Sequence, residues 1–451
     1  MTVHSIQVGA FPTEEAAEHF ANEVRQAAEP RHILPNRSNA NFPYRVVIGN
    51  FPNHSEAWVY SQFLNEDVFP DSFIAAWEWD GRELKTNRLD LNLPFDTTGI
   101  NPGDAAIVPP ELFDVDDAGV DVSAISSEGD LDELTDSELL AVGAKASSNP
   151  LGREALRRYL ANNPGDEEWS NYARLRLAQR YLGARNHTQA SEHAEALKGS
   201  SSDLFSSLGA WIDAYRIYYQ SGGAAAYDSF VELANDTSAH GSARADALRM
   251  AAGIAHSQHD YPTAFVAFEL IERLNPDAAS AGEARMQRTG LLYELVGRGR
   301  GSWSEVRTMA RSAEEFPSAN EASRATARLM YLETFFEEKN FQRVLREADA
   351  LVEDYSNQTR EVHAARYWKA RAYQELLRHD DAIAIFDELA DANLSSQQVF
   401  PALDVRSKSL YELGRIHRRS GNDQAASAAE SQLVQRFPNS EEARRLESSS
   451  D

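Results

Sequence analysis

The sequence of 451 residues contains no cysteine. Disulfide bonds and thiolate metal sites are therefore excluded, and each domain depends on its own core for stability. No apolar run reaches the roughly 18 residues that a membrane-spanning helix requires. The N-terminus also lacks the basic and apolar regions of a signal peptide. These features fit a cytoplasmic protein, or an exported one whose signal lies outside this sequence.

Lysine is scarce as well: 6 of the 44 basic residues are lysine and 38 are arginine. The net charge of -26 argues against nucleic acid or an anionic membrane surface as a general partner. An acidic, arginine-rich composition is typical of a high-salt or GC-rich source, and codon bias with an acidic linker explains it equally well. The length predicts two or three domains.

One short motif occurs twice near the N-terminus. Residues 6–12, IQVGAFP, are echoed by residues 46–52, VVIGNFP, with the two glycines 40 residues apart. Each copy is typical of a strand that turns sharply into a helix. Over residues 1–81 the pattern predicts the order βαββαβ, which is a ferredoxin-like split βαβ fold of the α+β class. Both helices would then cover one face of a four-stranded antiparallel sheet and leave the other face open.

A change of composition follows this first domain. Between Leu89 and Ala144 there are 14 acidic residues and no lysine or arginine. Residues 82–131 are therefore predicted to be an acidic, proline-containing linker, extended and mobile over most of its length. Ile100 and the pair Leu112 and Phe113 are candidates for short docking anchors within it.

Residues 132–451 are predicted to form an all-α superhelix of about seven helical pairs. The clearest unit runs from Ser242 to Pro276 and has small and aromatic residues at the offsets of the tetratricopeptide (TPR) pattern. Small residues allow two helices to approach closely, an aromatic residue packs between hairpins, and proline ends the second helix. Stacked pairs of this kind bury a continuous core. The offset residues of this unit are Ala252, Tyr261, Ala264, Phe268 and Pro276.

The doubled motif resembles the paired signature of the SPOR (sporulation-related repeat) domain. The two copies are Ile6-Gln7-Val8-Gly9-Ala10-Phe11 and Arg45-Val46-Val47-Ile48-Gly49-Asn50-Phe51. The resemblance covers less than a fifth of the chain, but it includes both motifs, their spacing and the βαββαβ order. It implies a domain that binds peptidoglycan, particularly glycan strands stripped of their stem peptides, at sites of division and wall remodelling.

Strand alternation places Gln7 and Arg45 on the open face of the predicted sheet. An amide beside a guanidinium group suits sugar hydroxyls and N-acetyl carbonyls. Ile74 is expected to add an apolar floor from the last strand, and by the resemblance these three residues fall where the glycan groove is lined. Pro43 occupies a position where an aromatic residue would stack on a sugar ring, and Phe42 is the candidate to replace it.

Other motifs that suggest a metal, phosphate or catalytic site have simpler structural explanations. His256 and His259 lie one helical turn apart but fall in a predicted turn within a hairpin. The glycine-rich segment of residues 297–301 follows no strand and lacks the ending of a phosphate-binding loop. No catalytic motif frames a nucleophile or a carboxylate pair. The chain is therefore predicted not to be an enzyme and to use no cofactor or metal. A hydrolase with catalytic residues scattered over the repeats is the remaining enzymatic hypothesis.

Together these patterns predict a non-catalytic adaptor of the bacterial cell envelope or periplasm. Its first domain would bind peptidoglycan glycan strands, and a protein partner would occupy the groove of the TPR-like superhelix. Division or wall remodelling is the expected process. The alternative hypothesis is an assembly scaffold that uses both domains for protein contacts alone, without glycan binding, in the cytoplasm or the periplasm.

Overall fold

The structure is a computed structural model. It describes residues 2–36, 39–64, 68–69, 72–79, 88–89, 91–96, 100, 120–146, 149–274, 279–395, 398, 400 and 403–448. The chain divides into two compact units, residues 1–284 and residues 285–451. The expected anchors Leu112 and Phe113 lie outside the described residues.

The first unit begins with a four-stranded antiparallel sheet in the order β3-β4-β1-β5. Two helices, α1 and α2, contact one side of this sheet. This is the α+β arrangement that the sequence predicts. The elements are β1 (Thr2–Phe11), α1 (Glu14–Glu23), β2 (Ala28–Glu29), β3 (Arg31–Pro35), β4 (Tyr44–Phe51), α2 (His54–Ser61), β5 (Phe73–Glu78) and β6 (Arg88–Leu89).

The two glycines of the doubled motif serve different purposes. Gly49 has a φ of 72°, which glycine adopts without strain, and it lies where β4 carries an additional residue opposite β1. Gly9 follows the corresponding irregularity in β1. A Cβ atom there would lie 2.6 Å from the Phe11 ring, so a side chain would displace that ring. Both copies of the motif therefore mark bulges that bend the two central strands.

Both helices begin with a side-chain cap. Thr13 accepts a hydrogen bond from the backbone N–H of Ala16, and Asn53 accepts one from Glu56 at 2.8 Å. The apolar residues that face the sheet then close a core with β1 and β4. Its fully buried members include Ile6, Ala17, Val46, Ile48 and Ala57.

After β5 the chain passes along the edge of this domain toward the helical part of the same unit. β6 pairs with β2, and Leu91 forms an isolated bridge with Leu64. The N–H of Asn92 donates to the carbonyl of Phe63 at 2.6 Å. We call residues 91–96 the strap. Part of the segment expected to be a mobile linker is thus bonded to the domain before it.

The remainder of the described chain is helical, which agrees with the all-α superhelix predicted for it. Consecutive helices pack pairwise as hairpins. The helices are α3 (Asp136–Lys145), α4 (Asn149–Asn162), α5 (Glu168–Gly183), α6 (His187–Lys198), α7 (Asp203–Ser221), α8 (Gly223–Asn235), α9 (Gly241–Ser257), α10 (Tyr261–Leu274), α11 (Ala279–Gly297), α12 (Trp303–Glu314), α13 (Glu321–Glu337), α14 (Phe341–Asp354), α15 (Thr359–Glu375), α16 (His379–Ala390), α17 (Val405–Arg419), α18 (Asp423–Arg436) and α19 (Glu441–Ser448).

Seven of the turns inside these hairpins have a residue with positive φ after the first helix. Successive residues of this kind are 37, 37, 40, 40, 38 and 44 residues apart. Where this residue is followed by a cap, the cap N–H donates back into the last helical turn, as from Asn186 to the Tyr181 carbonyl at 2.9 Å. The shared turn is direct evidence of a repeated unit. The positive-φ residues are Arg185, Gly222, His259, Gly299, Lys339, Leu377 and Gly421.

Arginine side chains close the ends of several helices. Arg180 donates to the carbonyls of Gly143 and Ala146, both at 2.9 Å, and so satisfies the C-terminal end of α3. Arg324 bonds three carbonyls of the connection after α12 in the same manner. A guanidinium group can bridge several carbonyls at once, which an ammonium group cannot do with fixed geometry. The excess of arginine over lysine thus has a structural use in this chain.

Candidate functional site

The candidate site lies on the face of the sheet opposite α1 and α2, which we call the open face. Gln7 pairs with Val47 on one side and with Phe73 on the other, so these three residues share a face. Ser5 and Ala75 are the next pair along the same face. Strand alternation alone therefore places Gln7 correctly relative to the helices.

The side chains of two tryptophans cover part of the open face. Trp77 packs 4.7 Å from the ring of His32 on β3, although β3 and β5 are the two edge strands of the sheet. Trp79 contacts both of these rings, at 5.2 Å and 5.7 Å. The indole N–H of Trp77 donates to the Ser5 hydroxyl at 2.9 Å. The sheet is therefore strongly curved, and its open face is concave.

This cover changes the accessibility of Gln7. Its side chain is only 4% exposed, and Val47 beneath the rings is fully buried. The Ser5 hydroxyl donates in turn to the carbonyl of Gly49 at 2.6 Å. In this conformation Gln7 is nearly closed to solvent.

Arg45 lies at the rim of the same face. One of its terminal nitrogens donates to the Ala76 carbonyl at 3.5 Å, across β1. Partial burial lowers the pKa of Arg45 from its usual value, which still leaves the side chain cationic at neutral pH. Its Nε atom is buried without a hydrogen-bond partner. The guanidinium group thus keeps donor capacity at the edge of the aromatic cover.

Ile74 does not belong to the open face. It pairs with Ile6 and packs against the core below α1 and α2. The expectation that Ile74 forms an apolar floor beside Gln7 is therefore wrong about its orientation, because the register of β5 places odd-numbered residues on the open side. Phe73 takes that position and is 54% exposed. Phe42 lies in the connection before β4 and is 43% exposed.

Sequence reasoning missed Trp77, Trp79 and His32 as site residues. The sequence contains a signal for the tryptophans. Every second residue of a strand points to the same face, and of residues 73, 75, 77 and 79 the last two are tryptophan. The faces of aromatic rings stack on sugar rings, while a guanidinium group and an imidazole offer hydrogen bonds at the edges of such a stack. The open face therefore combines apolar stacking area with donors.

The opposite side of the domain is occupied. Helix α2 packs against α10 of the helical region within the first unit. The phenol of Tyr60 on α2 donates a hydrogen bond to the carboxylate of Glu269 on α10. Because the helices take this contact, the sheet face stays outward from the helical region of this unit.

The other candidate residues show no reactive grouping. His259 is the positive-φ residue of its turn and bonds the Tyr261 hydroxyl at 2.9 Å. Gly299 and Gly301 also have positive φ, as expected for a turn. Within the part of the chain that the structure describes, no group of three or more His, Asp or Glu could hold a metal ion.

Comparison with known proteins identifies the N-terminal domain. Residues 2–75 are a SPOR domain. The match covers both copies of the doubled motif, the first three strands of the main sheet and the first half of β5, and it ends before Trp77. SPOR is a binding domain without catalytic chemistry, it binds peptidoglycan, and it occurs in proteins of the cell envelope.

The helical region gives no comparable match. No curated protein matches the chain. Among solved structures, a monomeric IFIT1 mutant determined with m7Gppp-AAAA aligns at 11% identity with 69% of this chain and 70% of that chain. Its TM-score of 0.33 is too low to support any argument. Among the described helices, none combines the length and apolarity needed to cross a bilayer.

Proposed function

We propose that this protein is a non-catalytic adaptor of the cell envelope whose SPOR domain binds the glycan strands of peptidoglycan. The observation that carries the proposal is the open face of a SPOR domain, with Trp77, Trp79, His32 and Arg45 grouped on it. This surface offers ring faces and donors but no catalytic pair, which suits binding of a hydroxyl-rich polymer.

The residues of the open face would have different roles in glycan binding. Trp79, Phe73 and Phe42 supply stacking area for sugar rings. Arg45 donates hydrogen bonds to hydroxyl or N-acetyl oxygens at the rim. Gln7 is only 4% exposed, so it contacts a sugar only when the residues that cover it move aside. Ile74 supports the strand from the core side.

The helical region would act as a TPR-like scaffold. The recurring positive-φ turns and the pairwise packing within α3 to α10 and within α12 to α18 support stacked hairpins, and such arrays present an extended concave surface to partners. We propose that this surface holds a protein partner, and that the adaptor works in division or wall remodelling in the periplasm.

Co-sedimentation with purified sacculi tests the proposal. The full chain should sediment with sacculi, and amidase treatment, which removes stem peptides, should increase the bound fraction. Arg45→Ala should lower the bound fraction several-fold, while Arg157→Ala, on the exposed surface of α4, should leave it unchanged. Absence of sedimentation in both preparations would favour the scaffold without glycan binding.

A further inference from the structure

The strap ends in a cleft of the helical region, at the junction of α8 and α9. There the side chain of Asn235 bonds the strap backbone with both of its polar atoms. Its Oδ1 accepts from the N–H of Asp96 at 2.7 Å, and its Nδ2 donates to the carbonyl of Pro94 at 2.8 Å. One amide thus bonds two consecutive peptide groups of the strap.

Arg244 binds a further backbone atom of the strap. It is fully buried, with 1% exposure, and its Nη2 donates to the carbonyl of Asp96 at 2.7 Å. Its Nε donates to the Ala234 carbonyl at the end of α8 at 3.0 Å, which fixes the guanidinium plane. A buried cation placed in this way costs desolvation unless its donors are satisfied, so the cleft favours a bound carbonyl.

Phe95 supplies the side-chain part of the contact. It is 7% exposed, whereas the side chain of Asp96 is exposed. Pro94 has no N–H that would need a partner inside the cleft. The segment Pro94–Asp96 is therefore held by three backbone hydrogen bonds and one buried aromatic ring. Peptide-binding domains capture extended ligands with the same combination of backbone bonds and a side-chain pocket.

We propose that the cleft formed by Ala234, Asn235 and Arg244 is a peptide-recognition site for a Pro-Phe-Asp segment. Its occupant in this chain is the strap, which fastens the SPOR domain to the helical region. The cleft binds backbone atoms of the strap and the ring of Phe95. A free peptide of the same sequence therefore binds the cleft once the strap has left it. This inference does not depend on glycan binding.

A labelled peptide tests the proposal on the full chain. The probe is fluorescein-labelled LNLPFDTT, which is the sequence of residues 91–98, and fluorescence anisotropy reports its binding. In wild type the tethered strap has an effective concentration on the order of millimolar and outcompetes the probe. Phe95→Ala empties the pocket, so this variant should bind the probe at least about tenfold more tightly than wild type.

Two controls assign the binding to the cleft. Adding Asn235→Ala to the Phe95→Ala chain should weaken probe binding at least about tenfold, and a probe with alanine in place of phenylalanine should not bind. If Phe95→Ala changes the circular dichroism spectrum, Asp96→Pro is used in its place. This substitution removes the N–H that donates a hydrogen bond to Asn235. A folded variant that gives no saturable anisotropy change, or equal binding with and without Asn235, would overturn the proposal.

Discussion

At the scale of single residues, Glu333 on α13 is the described carboxylate whose pKa is raised furthest. Burial raises its pKa to about 7; the indole N–H of Trp368, which donates to it at 2.6 Å, acts in the opposite direction, and Glu337 adds a smaller upward shift. The ordinary pKa of a glutamate is about 4.3. The folded second unit therefore holds one more proton than the unfolded chain between these two pH values.

This difference sets the sign of a pH effect. The unfolded chain binds fewer protons there, so stability falls as pH rises from about 4.3 to 7 and stays lower above it. Glu333→Gln keeps an acceptor for Trp368 and removes the charge. We expect it to raise the free energy of unfolding by about 1–2 kcal/mol at pH 8 and to change it little at pH 4.

Thermal melts at the two pH values measure this prediction. Glu337→Gln is the matched control because Glu337 lies one helical turn further on and is exposed, and it should change the melting temperature much less at pH 8. An equal effect of Glu333→Gln at both pH values would mean that the charge of Glu333 is not the source of the penalty.

At the scale of elements, the hairpin turns show which local rules this chain obeys. Three of the seven positive-φ positions are glycine, whereas Leu377 adopts φ of 59° with 78% of its surface exposed. A Cβ atom costs about 1 kcal/mol in this region of backbone space. The turn is kept because the flanking helices α15 and α16 pack together, and the residue itself contributes strain.

Leu377→Gly should therefore stabilise the chain. We expect a gain of about 0.5–1 kcal/mol, since relief of strain exceeds the greater entropy of glycine in the unfolded chain. Leu377→Ala is the matched control, because it removes the exposed side chain but keeps Cβ, and it should give little or no gain. Urea unfolding measures the difference, and equal effects of the two substitutions would contradict the assignment of strain.

The arginine caps make a second prediction for elements. Arg180→Lys leaves at least one carbonyl of α3 without its donor, which costs about 1–2 kcal/mol. Arg157→Lys on α4 is the control, and it should stay within about 0.5 kcal/mol because this side chain is exposed. A loss of the same size in both variants would indicate a general effect of lysine rather than lost capping.

At the scale of the whole molecule, periodic signals predicted the architecture well. The doubled motif gave the SPOR fold and the faces of Gln7 and Arg45, because strand alternation is local. The orientation of Ile74 was wrong, since the register of β5 against β1 depends on pairing across 68 residues. The aromatic cover was missed because it needs the curvature that the bulges near Gly9 and Gly49 introduce.

Contacts between distant segments left no local pattern at all. The strap and its cleft are joined by the bond between Arg244 and Asp96, which are 148 residues apart. From sequence alone, an arginine inside a helix is expected on the surface, so the burial of Arg244 was not predictable. The acidic composition carries no information on where a few residues dock.

The central claim is that the open face of the SPOR domain binds glycan, and one pair of variants tests it most directly. Trp79→Ala removes a ring from that face, while Trp169→Ala removes a 39%-exposed tryptophan from α5. On amidase-treated sacculi, the dissociation constant should rise about tenfold or more for Trp79→Ala and stay at the wild-type value for Trp169→Ala. Equal affinity of both variants and wild type would contradict the account.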